Sequence, residues 1–105
     1  MREDFKKGYE KFLKAWGQES QERMAIEEMS ELIKELCKKI RLERDDFSEN
    51  NEEKLAKTIK NVKEEIADVL NMAEQLEFYY GATEIEKIRE EKMERTYKRL
   101  EEVNE

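Results

Sequence analysis

The sequence predicts an all-α protein, a helical bundle of about four helices that is completed by oligomerisation. Proline is absent and only three glycines occur in 105 residues, so the residues that break helices and form tight turns between strands are scarce. Apolar residues recur every three to four positions over long stretches, which is the period of a helix. Because 47% of the residues are charged and only 37% are hydrophobic, one copy buries little core, and we expect a homodimer or a homotetramer.

The first helix is predicted over about residues 3–15 and the second over about residues 20–43. Gly17 marks the end of the first helix, since glycine commonly follows the last helical turn. The first helix is expected to bury four large apolar side chains, those of Phe5, Tyr9, Phe12 and Leu13. In the second helix one continuous apolar face is formed by Ala25, Met29, Leu32, Ile33, Leu36 and Ile40.

Residues 44–51 lose this period and collect turn-forming Asp, Asn and Ser, which predicts a loop. The third helix is predicted over about residues 52–80, with Gly81 as its C-terminal cap. Its apolar face comprises Leu55, Ile59, Val62, Ile66, Val69, Ala73, Leu76 and Tyr80. Thr83 and Glu86 have the spacing of a capping box, so a fourth helix is predicted from Thr83 almost to the end of the chain.

Composition excludes several kinds of site. With no histidine and one cysteine, the chain cannot build a Cys/His zinc site, a Ser-His-Asp triad or an internal disulfide. A net charge of -7 opposes binding to nucleic acid or to an anionic membrane surface. No apolar run is longer than three residues, the length of Phe78 to Tyr80, which is too short to cross a bilayer. We expect one cytoplasmic domain over residues 1–105, since the charged N-terminus does not resemble a targeting segment.

Two acidic pairs have the spacing of neighbours on one helix face: Glu28 with Glu31, and Glu65 with Asp68. Each pair is followed by two aliphatic residues and borders the apolar face of its helix. If the two apolar faces pack antiparallel, all four carboxylates converge. Such a cluster either raises its pKa values or binds a hard divalent cation, and ligation by oxygen alone favours Mg²⁺, with Mn²⁺ as the alternative. Because Mg²⁺ usually binds substrate phosphates as well, the pattern points to a phosphorylated substrate.

These two motifs resemble the Glu-x-x-Glu and Glu-x-x-Asp signature of the MazG-like all-α nucleoside triphosphate pyrophosphohydrolases. That superfamily also includes dimeric dUTPases, dCTPases and phosphoribosyl-ATP pyrophosphohydrolases. The resemblance covers about residues 16–97 and is closest to small phage-type members, in which a Gly and a Gln precede the first motif as Gly17 and Gln21 do here. The segment from Lys92 to Arg95 is similar to the basic part of the late motif of the family.

The resemblance implies a Mg²⁺-dependent enzyme that hydrolyses nucleoside triphosphates to monophosphates and pyrophosphate, with a role in removing unwanted nucleotides. It implies that the metal and catalytic residues are Glu28, Glu31, Glu65 and Asp68. It also implies that Lys92 and Arg95 contact phosphate oxygens; the alternative is that they form exposed ion pairs with neighbouring glutamates.

Three further residues are candidates for substrate binding. Trp16 and Gln21 precede the acidic helix and are suited to a base pocket, Trp16 by stacking and Gln21 by hydrogen bonding. Asn71 follows Asp68 by almost one turn, within reach of a sugar hydroxyl or a phosphate. Packing of Trp16 in a core or an interface, and a solvated Asn71, are the alternatives.

Two other functions stay open from the sequence: a non-catalytic helical interaction module, and a sensor that binds nucleotides without hydrolysing them. The sequence also leaves open the base and sugar preference, the number of metal ions and the carboxylate that acts as base.

Overall fold

The computed structural model describes residues 1–44 and 51–104, and within them it confirms the all-α class, with four helices and no strand. The helices are α1 (Glu3–Trp16), α2 (Gln18–Arg44), α3 (Asn51–Tyr80) and α4 (Ala82–Asn104). The predicted loop falls mainly on residues 45–50, which lie outside the described residues; Arg44 and Asn51 are helical. None of these helices is long and apolar enough to cross a membrane.

Glycine ends α1 and α3, as the sequence predicts. Gly17 has a φ of 85° and Gly81 a φ of 118°, a region that side chains other than glycine rarely adopt. The Gly81 N–H donates to the Glu77 carbonyl at 2.9 Å, and the Gly81 carbonyl accepts from the Ile85 N–H at 3.1 Å. Because helical hydrogen bonding resumes at Gly81, α4 begins at Ala82, and the prediction that Thr83 starts and caps this helix is wrong.

The chain divides into two compact units, Met1–Gln75 and Leu76–Glu105. The first unit contains α1, α2 and most of α3, and the second contains the last residues of α3 and α4. The expectation of one domain over residues 1–105 stays a prediction. All the carboxylates of the two acidic motifs belong to the first unit, whereas Lys92 and Arg95 belong to the second.

In the first unit α2 and α3 form an antiparallel hairpin. Near one end the Gln75 side chain donates to the Gln21 side chain at 2.9 Å. Near the other end the Asn51 side chain donates to the Leu42 carbonyl at 2.9 Å. Since early residues of each helix meet late residues of the other, the acidic motifs in the middle of α2 and α3 lie side by side.

The face that α2 turns toward α3 differs from the predicted one. Apart from Gln18 and Glu22 near its start, the less exposed positions of α2 follow an alternating four- and three-residue spacing. They are Gln21, Ala25, Glu28, Leu32, Glu35, Lys39 and Leu42. Most of the predicted apolar face lies about one residue further round the helix and is exposed; Ile33, for example, is 62% exposed. The seam is therefore more polar than the sequence suggests, and it contains Glu28 itself. In α1 Tyr9 is buried but Phe12 is 40% exposed, which corrects the expectation that Phe12 is buried.

Seven exposed apolar side chains of the hairpin lie on one side of it, which we call the apolar face. On α2 and on α3, each of its members lies one residue after a less exposed position that faces the seam. In two antiparallel helices that share a seam, the same rotation away from the seam leads to the same side. The members of the apolar face are Ile26, Met29, Ile33, Leu36 and Ile40 on α2, and Ile66 and Leu70 on α3.

Candidate metal centre

Three of the four predicted carboxylates converge. Glu28 of α2 and Glu65 and Asp68 of α3 each offer an oxygen, and these oxygens all lie within 4.8 Å of one another. Glu28 and Glu65 are half-buried at the seam and Asp68 is exposed beside it. The positions follow from the hairpin, since Glu28 and Glu65 occupy seam positions and Asp68 lies about 60° round α3 from Glu65. We call these three residues the acidic cluster.

The fourth predicted ligand, Glu31, is exposed on α2 and does not belong to this cluster. It lies three residues from Glu28 and so is displaced by about 60° from the seam. On the antiparallel partner helix Asp68 is displaced in the same sense from Glu65, so both side chains lie on the side of the hairpin opposite the apolar face. Glu31 thus flanks the acidic cluster, and its role as a ligand stays a prediction.

The acidic cluster is electrostatically strained. Partial burial raises the pKa of Glu28 above its ordinary value, and the negative charge of Asp68 and hydrogen bonding with Glu65 raise it further. None of the salt bridges found among residues 1–44 and 51–104 involves these three carboxylates. The cluster therefore holds carboxylates close together, and no basic side chain of the described residues forms a salt bridge with them.

The donor set suits a hard divalent cation. Every ligating atom is a carboxylate oxygen, the chemistry that Mg²⁺ and Mn²⁺ prefer. Glu65 Oε2 is buried and has no hydrogen-bond partner, although a buried polar atom normally has one. A cation beside Glu65 would satisfy this oxygen and offset the repulsion within the cluster. The residues present fit a bound Mg²⁺ ion.

Three of the predicted substrate-binding residues line one cavity of the first unit. This cavity, of about 360 Å³, is bordered by Trp16, Gln21 and Asn71, which lie on α1, α2 and α3 respectively. Its size lies at the lower end of the range typical of small-molecule sites. The structure therefore groups Trp16, Gln21 and Asn71, and we call this space the aromatic cavity.

Sequence reasoning missed several walls of the aromatic cavity. Phe5, Tyr9 and Phe12 of α1 contribute aromatic rings, and Phe12 stacks on Trp16 with ring centroids 5.4 Å apart and an angle of 17° between the planes. Gln75 of α3, 2% exposed, hydrogen-bonds Gln21 at the cavity wall. Gln75 could have been found from its spacing, since it lies one helical turn after Asn71.

Lys92 and Arg95 line a different feature, a shallow cavity of about 220 Å³ on α4 in the second unit. Thr96 and Arg99 also line it, and Arg99 was missed although it follows Arg95 by one turn. Neither Lys92 nor Arg95 takes part in the salt bridges found in the described part of the chain. The ion pairs with neighbouring glutamates, which were the alternative to phosphate contacts, are thus not formed there, and both cations are exposed.

Comparisons with protein-family models, with curated proteins and with solved structures find no match for this chain. Inference about its function consequently starts from the acidic cluster and the cavities.

Proposed function

We propose that this chain is a Mg²⁺-dependent nucleoside triphosphate pyrophosphohydrolase that converts (d)NTP to (d)NMP and pyrophosphate. The observation that carries the proposal is the convergence of Glu28, Glu65 and Asp68 within 4.8 Å. These carboxylates come from two motifs that are far apart in the sequence, and a solvated acidic surface gives no reason for them to meet at a half-buried seam. A soluble helix gains nothing from like charges held this close.

In this proposal Glu28, Glu65 and Asp68 hold Mg²⁺, with Mn²⁺ as a substitute and Glu31 as a further ligand. When bound, the cation offsets the negative charge of the phosphates and lowers the pKa of a bound water. One of the carboxylates accepts a proton from the attacking water. The water oxygen bonds to the α-phosphorus, the bond from that phosphorus to the bridging oxygen breaks, and pyrophosphate leaves with the bond's electron pair.

The two sets of substrate contacts have different support. For Lys92 and Arg95 a role in binding phosphate oxygens comes from the family resemblance alone; cationic donors are the groups that stabilise negative charge on a leaving pyrophosphate. Trp16, Gln21 and Asn71 line the aromatic cavity, which supports a role in binding the base and the sugar. Removal of unwanted nucleotides in the cytoplasm is the biological role that fits this reaction.

We further propose that the chain functions as a homodimer or a homotetramer through the apolar face. The described residues bury only four hydrophobic side chains, those of Tyr9, Ala25, Val62 and Met72. By contrast, the members of the apolar face on α2 repeat at alternating three- and four-residue spacings, the pattern by which two helices pack on each other. A second copy of the chain presents the same pattern, so the apolar face is self-complementary.

The decisive experiment measures pyrophosphate release from a panel of standard and modified nucleoside triphosphates in the presence of Mg²⁺. The Glu65→Gln variant is assayed beside Glu64→Gln, which removes an equal charge from an exposed neighbour. Metal-dependent release that is lost in Glu65→Gln and kept in Glu64→Gln supports the proposal. No release from a folded, helical sample contradicts it. Tight binding of a non-hydrolysable triphosphate without release would instead identify a nucleotide sensor.

A further inference from the structure

Two buried glutamines meet at the wall of the aromatic cavity. Gln21 and Gln75 are each only 2% exposed, and both line the cavity. Gln75 Nε2 donates to Gln21 Oε1 at 2.9 Å, which turns the oxygen of the Gln21 amide toward Gln75. Gln21 Nε2 is buried and has no hydrogen-bond partner.

An unpaired buried amide nitrogen is costly, since a buried donor without a partner costs about 1–3 kcal/mol. Such groups are rare in folded proteins and often mark a place where a ligand binds. Here the residue that carries the free donor lines a cavity with aromatic walls, formed by the rings of Phe5, Tyr9, Phe12 and Trp16. Aromatic walls favour a flat ring as ligand, and the free donor favours a ring that presents an acceptor.

We infer that Gln75 is a positioning residue that fixes the Gln21 amide so that the aromatic cavity selects nucleobases with a keto oxygen over those with an amino group. The hydrogen bond from Gln75 holds the Gln21 amide with its oxygen toward Gln75, so Nε2 is the group of this amide that is left to offer to a ligand. A keto oxygen accepts from Gln21 Nε2, whereas an amino group would place two donors against each other. This inference rests on the proposed function only in taking the bound ring to be a nucleobase.

The part of the base that is read follows from the connectivity of a nucleotide. The sugar and the phosphates must leave through the mouth of the cavity, so the edge opposite the glycosidic bond lies deepest. At that edge uracil and hypoxanthine carry a keto oxygen, where cytosine and adenine carry an amino group. Since Gln21 is almost fully buried, it faces the deepest atoms of the ring.

The test uses nucleosides, which have no phosphates and need neither the metal nor hydrolysis. Uridine is compared with cytidine and inosine with adenosine, because the members of each pair differ at the deep edge. Trp16 is the only tryptophan of the chain and lines the cavity, so its fluorescence reports binding directly. We expect the full-length protein to bind the keto member of each pair roughly ten- to hundredfold more tightly.

The Gln75→Glu variant tests the positioning role. A carboxylate has no N–H to donate, so it accepts from Gln21 Nε2 and leaves Gln21 Oε1 as an acceptor for the ligand. The preference should then reverse in favour of cytidine and adenosine. A purely structural role of Gln75 would weaken binding of both members equally and leave their ratio unchanged.

The Gln75→Met variant covers the case in which a buried glutamate prevents folding. Methionine leaves the Gln21 amide free to rotate, so the preference should fall toward a ratio of one while binding persists. Gln18→Met serves as the matched control, since Gln18 does not line the aromatic cavity, and it should keep the original preference. Absence of nucleoside binding, equal binding of both members, or an unchanged ratio in the Gln75 variants would each overturn the inference. None of these results depends on whether triphosphates are hydrolysed.

Discussion

Replacing Glu28 with Gln should stabilise the folded protein at neutral pH, because it removes one charge from the acidic cluster. The oxygens lie within 4.8 Å of one another, and two unit charges at that limit repel by about 0.9 kcal/mol in water and by about 3.5 kcal/mol at an effective dielectric constant of about 20. Glu28 faces two such neighbours, Glu65 and Asp68. Its charged form can also take up a proton, which limits the cost at pH 7 to about 3.4 kcal/mol for a glutamate of ordinary pKa 4.5.

Solvent and salt weaken these interactions at a half-exposed site, so we expect a stabilisation of about 1–2 kcal/mol. For a domain of this size each kcal/mol raises the melting temperature by about 4–8 °C. Thermal unfolding followed by circular dichroism, without added metal and at one fixed protein concentration, measures the change. Glu27→Gln removes an equal charge from the exposed neighbouring position and should leave the melting temperature almost unchanged.

The difference in stability between the two proteins should depend on pH. The pKa of Glu28 is raised in the folded protein, so its stabilising contribution is complete below about pH 4.5 and is lost as the pH rises through the raised pKa. In the Glu28→Gln variant the side chain at position 28 is an amide, which does not titrate. The two proteins should therefore be almost equally stable in acid and diverge as the pH rises. A variant that is less stable at neutral pH, or a difference that does not grow with pH, would refute the charge repulsion from which the prediction is derived.

Three further predictions concern the cluster, the apolar face and the helix ends. Millimolar Mg²⁺ should raise the melting temperature of the protein, because the ion binds selectively to the folded state. Glu65→Gln should abolish this rise and Glu64→Gln should keep it. An equal rise in the original protein and in both variants would place the ion elsewhere. Ile33→Glu adds a charge to the middle of the apolar face and should convert the oligomer to monomers in light scattering, and an unchanged mass would show that another surface mediates assembly. Gly81→Ala should destabilise the protein by about 1–2 kcal/mol because of the positive φ at this position. Gly8→Ala should stabilise it by about 0.5–1 kcal/mol, since Gly8 is helical and the added Cβ would be in ordinary contact with the Phe12 ring. Denaturant unfolding that gives both changes the same sign would contradict this difference.

The helices were predictable from local signals. The scarcity of glycine and proline and the three-to-four-residue apolar period place α1, α2 and α3 to within about two residues of their observed ends. Both glycine stops, Gly17 and Gly81, are confirmed by their positive φ values. The exception is Thr83, whose capping-box spacing suggests a helix start that Gly81 supplies instead. Spacing reports what a residue can do, whereas the hydrogen bond from Ile85 to Gly81 determines where the helix begins.

The orientation of α2 was not predictable in the same way. Its most apolar face includes Ile33 and Leu36, and sequence periodicity assigns that face to the interior of the bundle. The structure instead turns the neighbouring face to α3, with Gln21 hydrogen-bonded across the seam. A hydrogen bond between two buried amides can take the place of apolar contacts in a seam, and periodicity measures hydrophobicity without detecting such pairs.

Local spacing determines one part of the acidic cluster, and tertiary packing determines the other. The sequence by itself determined that Glu65 and Asp68 are neighbours on one helix, since their separation follows from helical geometry alone. Only the tertiary structure decided that Glu28 joins them while Glu31 flanks them, because that depends on how far α2 is rotated about its axis. It also decided that Gln75 orients Gln21 at the aromatic cavity. A rotation of one residue, about 100°, exchanges a seam position for an exposed one, and the contacts that fix this rotation come from residues distant in the sequence.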